Sequence, residues 1–417
     1  MSEIIVVGGG AAGLMAAVMA AEAGANVTLL ERNEKLGKKI YITGKGRCNV
    51  TNACTPDEFQ KQVVRNPRFL FSALSALPPS ALMELLTQWG CPVMVERGER
   101  VFPQSEKASD VTRAFEKTLS RLGVRVLLNT RVKELLHAEN AVSGVLTEDG
   151  RRLPADAVIL CTGGKSYPST GSTGDGFRLL AGCGHKVLAE KPALIPLCAS
   201  EPWIHALQGL SLRNVRLTLV HRRKTLYSDI GEMLFTHFGF SGPLILTASS
   251  YMASLPPDEV TLTLDLKPGL TAQQLHDRLV RDIAQAGKKQ LQTVLYGLYP
   301  ASLAEKMPAL CGIDGRKPAS ELLKEERMAL VSMTKAFPLP ITGSRPLSEA
   351  VVTRGGVDVR EISPATMESK LLADLYVAGE LLDTDALTGG FNLHIAFCTG
   401  YAAGKSAAEK PGEKHKK

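Results

Sequence analysis

The sharpest pattern of hydrophobic and polar positions lies at the start of the chain. Residues 4–7 form an apolar, β-branched run, three glycines follow, and an alanine-rich stretch continues to Ala23. This predicts a buried strand, a tight turn and a helix ended by Gly24. A second strand covers Asn26–Leu30 and stops at Glu31. Two later runs repeat the buried-strand signal, 156–164 (DAVILCTGG) and 374–380 (DLYVAGE). Residues 389–404 (GGFNLHIAFCTGYAAG) read as a glycine turn opening a helix of small residues. Strands and helices arranged in this way predict an α/β class.

The middle of the chain reads differently. Residues 213–220, 224–228 and 260–266 alternate apolar and polar positions like strands, with a turn at Pro256-Pro257. From Thr271 to Phe337 the period becomes helical, with Thr271 and Gln274 at capping-box spacing, until Pro338 and Pro340 stop it. The expected organisation is a discontinuous nucleotide domain (1–190 and 346–408), a β-rich insert (191–268 and 338–345), a helical domain (269–337) and a basic flexible tail (409–417).

Composition narrows the class. The chain has 417 residues, 44% hydrophobic and 22% charged, so two to three ordinary globular domains are expected. The excess of 49 Lys and Arg over 42 Asp and Glu is +7, of which residues 405–417 supply +3 through five Lys and two Glu. That mild basicity is compatible with an anionic partner. Eight scattered cysteines without a CxxC predict reduced thiols, a cytoplasmic location and no zinc site. Residues 4–21 carry no charge, but the glycine break and the missing basic flank favour a buried strand and helix over a membrane span.

The glycines at 8, 10 and 13 are spaced GxGxxG between strand and helix, and Glu31 follows 18 residues after Gly13. Gly8 allows the tight turn, Gly10 lets backbone approach a pyrophosphate, and Gly13 lets helix pack on strand. The first-turn N–H groups, at Ala11 and Ala12, face the phosphates. Glu31 accepts from ribose hydroxyls and disfavours a 2′-phosphate, although Arg32 follows it. The returning segment with Gly379, Glu380, Gly390, Asn392 and Leu393 suits a flavin, so FAD is expected rather than NAD. A glycine-rich loop adds Gly44, Arg47, Cys48 and Asn49, with Lys39 before it. Val132, Thr162 and Gly163 complete the expected cofactor set.

Three side chains are candidate proton donors. Cys48 sits beside Arg47, which could lower its pKa. His237 lies in a loop between aromatic and glycine residues, and Tyr167 follows the CTGG turn. The turn 171–176 (GSTGDG) could touch a phosphate or cap the next helix. No Ser–His–Asp order and no HExxH motif is visible. Arg213, Arg216, Arg222, Arg223 and Lys224, with His221, form a basic stretch suited to RNA phosphates. A nicotinamide donor, NADH or NADPH, would visit in turn with the substrate, since no second GxGxxG domain is seen.

The segments VVGGGAAGLMAA (6–17), ITGKGRCNVTN (42–52), GEMLFTHFGFSGP (231–243), TMESKLLADLYVAGELLD (366–383) and GGFNLHIAFCTGYAAG (389–404) resemble the bacterial NAD(P)/FAD-dependent flavoprotein oxidoreductases. That family includes bile-acid dehydro-reductases and ribosomal-RNA dihydrouridine synthases, and the chain is similar to enterobacterial synthases. The resemblance runs almost end to end. It implies FAD, a Rossmann-type domain, an inserted β-barrel-like domain and a small helical domain. It also implies reduction of a conjugated C=C, with a uridine of 23S ribosomal RNA as acceptor. A small-molecule enone reductase and a non-catalytic flavin- and RNA-binding protein are the alternatives. Phe391 and His394 stand where the family more often carries Tyr and Gln.

Overall fold

A computed structural model describes residues 1–409, so residues 410–417 of the expected tail lie outside the described residues. The chain forms two compact units, Met1–Ala193 with the segment from Pro346 onward, and Leu194–Arg345.

The first unit is built on a five-stranded parallel sheet. Its strands are β1 (Glu3–Val7), β2 (Asn26–Leu30), β3 (Arg125–Leu127), β4 (Ala157–Leu160) and β5 (Leu375–Val377), in the order β5-β4-β1-β2-β3. Helix α1 (Ala11–Glu22) follows β1 and is buried from Ala11 to Ala20. It is apolar all round because it has neighbours on every side. One of them is α2 (Phe391–Ala408), where a side chain on Gly400 or Gly404 would lie 2.2–2.3 Å from the carbonyl oxygens of Ala12 and Ala16. Small residues at these positions let two backbones touch. The uncharged stretch 4–21 is thus a strand, a turn and a core helix. No single helix among the described residues is long and apolar enough to cross a membrane.

The second unit holds a seven-stranded antiparallel sheet ordered 337–338, 260–265, 211–221, 224–236, 239–241, 197–198, 343–344. Its two edge strands are separated by residues 339–342 alone, a reach of under about 20 Å. The sheet must therefore curl toward closure, which makes it barrel-like. The sequence separates 269–337 as a helical domain. In the structure Leu275, Leu279, Leu303 and Leu330 of those helices share one core with Leu217, Phe235 and Leu264 of the strands. Strands and helices therefore form one unit.

Candidate functional site

The first unit contains a cavity of about 1360 Å³, counting space open to solvent. It lies where β1, β2, β4 and β5 end, lined by Val7, Leu30, Cys161 and Gly379. Ligands of open α/β sheets bind at this edge. Gly8, Gly10, Ala11, Ala12, Glu31, Arg32, Lys39, Val132, Thr162, Gly163, Glu380, Asn392 and Leu393 also line it.

Each glycine of the first turn has its own reason. Gly8 has φ of +105°, and a Cβ there would sit 2.5 Å from the Cys161 carbonyl oxygen. A Cβ on Gly13 would sit 1.8 Å from the Gly8 oxygen, so Gly13 serves packing and does not line the cavity. Gly10 is different, because no atom beyond its adjoining chain lies within 4 Å of the space its Cβ would take. The chain keeps that space clear beside the N-terminus of α1, whose first N–H groups lack intrahelical acceptors. A phosphate fits there on both steric and electrostatic grounds. The hydroxyls of Thr162 and Thr384, two lining residues, are buried without a protein partner.

The polar groups on the walls are organised. Glu31 is buried, and its carboxylate accepts from Gly9 N–H at 2.7 Å, Asn33 N–H at 2.8 Å and Asn33 Nδ2 at 2.7 Å. These bonds fix its position while a carboxylate keeps further lone pairs for hydroxyls. Lys39 Nζ donates to Glu380 Oε2 at 2.7 Å and to Ser166 Oγ at 2.6 Å. Glu380 Oε1 accepts from Thr353 N–H at 2.7 Å and Ser166 Oγ at 3.0 Å. Asn392 uses its amide on the backbone of Ala386 and Leu387.

Other expected residues lie elsewhere. Gly44, Arg47, Cys48, Asn49 and Gly390 do not line the cavity, although Thr43 does. Arg47 turns to Glu96 and Glu106 and stacks on Phe102 at 4.2 Å. Cys48 is fully buried, and desolvation pushes its thiol up to about 12. The expected lowering by Arg47 is overturned, because burial dominates and the guanidinium is committed to carboxylates. A Cβ on Gly390 would meet the Thr51 carbonyl at 2.4 Å, so this glycine serves close packing. Tyr167 is half-buried with φ of +50° and lies outside the cavity lining.

Two findings were not visible in the sequence. Ser369 Oγ donates to His185 Nε2 at 2.9 Å, and His185 Nδ1 donates to Glu361 at 3.1 Å. This resembles a hydrolase triad, but Ser369 and His185 are buried and the Ser369 oxygen accepts from the N–H groups of Leu371 and Leu372. It staples a loop. His394 is also buried. Its Nε2 donates to the Leu77 carbonyl and its Nδ1 accepts from Thr51 Oγ1, both at 3.0 Å. Burial holds it neutral, with a pKa lowered to about 4. The cavity also gains Asn33, Lys38, Arg131, Ser172 and Asp175. The 171–176 turn was the one signal for the last two.

In the second unit, His237 is exposed on a turn, its ring 4.9 Å from Phe238, which lies under Arg345 at 4.8 Å. Arg222 and Arg223 form the tip of the 211–236 hairpin with φ of +46° and +68°. Arg213, Arg216 and Lys224 are exposed with them. Arg222 pairs with Glu259 at 2.8 Å and Arg213 approaches Glu232 at 3.9 Å, so part of this charge is neutralised.

A parallel sheet, a glycine turn that reserves phosphate space and a fixed acid after the second strand define a dinucleotide-binding protein of Rossmann type. The chain matches the family described as HI0933-like protein Rossmann domain over residues 2–406, and it belongs to that family of FAD-dependent oxidoreductases. It is 33% identical over 420 residues to a 3-dehydro-bile acid delta(4,6)-reductase of Clostridium scindens, covering 99% of this chain and 100% of the relative. It is 30% identical over 414 residues to a ribosomal RNA dihydrouridine synthase of Haemophilus influenzae, covering 98% and 99%. Among solved structures, 3-ketosteroid delta1-dehydrogenase from Sterolibacterium denitrificans shares the fold, with a TM-score of 0.53, 14% identity and coverage of 98% and 100%.

Proposed function

We propose that the chain reduces a C=C conjugated to a carbonyl, and that its acceptor is a uridine of 23S ribosomal RNA, reduced to dihydrouridine. The observation that carries this reading is the cavity, which offers phosphate space at Gly10 and a fixed acid at Glu31. When bound, the flavin supplies hydride at N5 for the electron-poor carbon of the acceptor. The N–H groups at the start of α1 hold the pyrophosphate, Glu31 accepts from the ribose, and Lys39 and Glu380 set the charge of the wall. NADH or NADPH is the proposed reductant. Proton delivery falls to Tyr167, which is partly exposed in the same unit as the cavity, whereas His237 belongs to the second unit. Cys48 leaves the set because it is sealed in the core. The exposed basic hairpin, Arg216, Arg222, Arg223 and Lys224, supports an RNA acceptor through phosphate contacts.

Nucleoside mass spectrometry of ribosomal RNA from deletion and complemented cells tests the acceptor. One dihydrouridine should vanish and return, and an unchanged profile removes RNA from the reading. A second reading, reduction of a small-molecule dienone, is favoured by the higher identity to the bile-acid reductase than to the RNA-modifying relative. Reoxidation of the reduced protein by a steroid dienone, with no response to RNA, would establish it.

A further inference from the structure

At the end of the cavity marked by Glu31, one carboxylate holds two guanidinium groups. Asp175 Oδ1 accepts from Arg131 Nη2 at 2.8 Å. Its Oδ2 accepts from Arg131 Nε at 2.8 Å and from Arg32 Nη1 at 3.1 Å. Arg32 Nη1 also donates to Thr173 Oγ1 at 2.6 Å, and Arg131 Nη1 to Glu148 at 3.2 Å. Arg32, Arg131 and Asp175 all line the cavity. The Asp175 side chain is 16% exposed, against 32% and 38% for the two arginines. Arg131 beside it keeps the carboxyl below its usual range. Three segments meet here, since Arg32 follows β2, Arg131 precedes the strand Val132–Ala138 and Asp175 opens the helix Asp175–Gly182.

The charges lining this end are Glu31, Arg32, Lys38, Arg131 and Asp175, a sum of +1. Without Asp175 the sum rises to +2 and the Nε–Nη2 fork of Arg131 is opened, while Arg131 Nη1 keeps Glu148 and Arg32 Nη1 keeps Thr173. Such forks bind phosphate in two-point fashion. NADPH shares the ADP half of FAD but adds a phosphate on the adenosine ribose. Two arginines beside a ribose-binding acid would attract that phosphate if their donors were open.

We propose that Asp175 is a specificity-determining residue of the cofactor seat. By occupying Arg32 and Arg131 it keeps the seat for the unphosphorylated adenosine of FAD and excludes the 2′-phosphorylated adenosine of NADPH. The inference rests on the FAD reading of the cavity and is independent of the acceptor.

The test uses the full-length holoprotein. FAD displacement by ADP and by adenosine 2′,5′-bisphosphate is followed through released flavin fluorescence, and the ratio of the two affinities is read. Asp175→Asn should move that ratio toward the bisphosphate by about tenfold at low salt, a gain that shrinks as salt screens the arginines. Arg131→Gln should move it the opposite way, and it carries the test alone if Asp175→Asn fails to retain FAD. Asp175→Glu should restore the wild-type ratio. Equal changes for both ligands, or an unmoved ratio, would overturn the proposal.

Discussion

Each unit has a hollow, and the two differ in what lines them. In the first unit, glycines and paired charges stand among aliphatic residues such as Val7, Leu30, Val132 and Leu179 around about 1360 Å³. In the second, Trp203, Leu262, Met333, Phe337, Leu339 and Ile341 surround about 1000 Å³ counted the same way, with Asp258 as the lining carboxylate. Size alone does not separate them. The first has room reserved at Gly10, donors on a helix end and a fixed acid, each aimed at part of one ligand. The second is walled by residues whose neighbours already belong to the sheet core.

The strongest way to break this contrast is at Gly13. Gly13→Ala puts a Cβ 1.8 Å from the Gly8 oxygen, so β1 and α1 must separate. We expect insoluble or FAD-free protein, read from expression and the flavin spectrum. Next is the buried pair of Arg354 and Asp385, bonded twice at 2.7–2.9 Å with Asp385 1% exposed. Asp385→Ala removes the buried acceptor of two charge-assisted bonds and should cost about 1.5–3 kcal/mol in denaturant unfolding.

His394 gives a pH test. Its folded pKa, about 4, lies below the ordinary 6.5. The unfolded chain therefore binds the proton more readily between these values. Stability is fully present above pH 6.5 and is lost as pH falls toward 4, by up to about 3 kcal/mol. His394→Gln should flatten the Tm-against-pH curve in that window.

Gly10→Ala sharpens the comparison. Its φ of −81° accepts alanine and no protein atom opposes the methyl group, so Tm without FAD should hold. FAD affinity should fall by about 1–3 kcal/mol through overpacking. Trp203→Ala in the other hollow should leave flavin content unchanged, and loss of flavin there would erase the distinction. Smallest is the paired change Arg222→Gln with Arg223→Gln. Tm should shift within about 0.5 kcal/mol. The salt dependence of RNA binding should weaken by roughly one ion per lost phosphate contact.

The glycine turn and Glu31 were legible because backbone geometry dictates the residue type there. Gly8 needs a positive φ and Gly13 needs no side chain, whatever the surroundings. The 44–49 loop was legible as a turn, but the direction of its side chains was not. What decides the direction of Arg47 is Glu96, Glu106 and Phe102, some fifty residues on, and no local pattern announces them. Asp175 was seen within a turn but not as a partner of Arg131, 44 residues earlier. The Ser369–His185–Glu361 staple joins positions more than 170 residues apart. Local chemistry is written in sequence, whereas pairing across the fold is not.

The contact of Gly400 and Gly404 with Ala12 and Ala16 ties one of the first helices made to one of the last. Thr399 on that late helix also accepts from the Gly379 amide at the cavity wall. A nascent chain emerging from the ribosome therefore holds the glycine turn long before it holds the seat. Flavin capture has to wait until residues near 400 have been translated, and a protein truncated before that point would carry the whole dinucleotide motif and stay colourless.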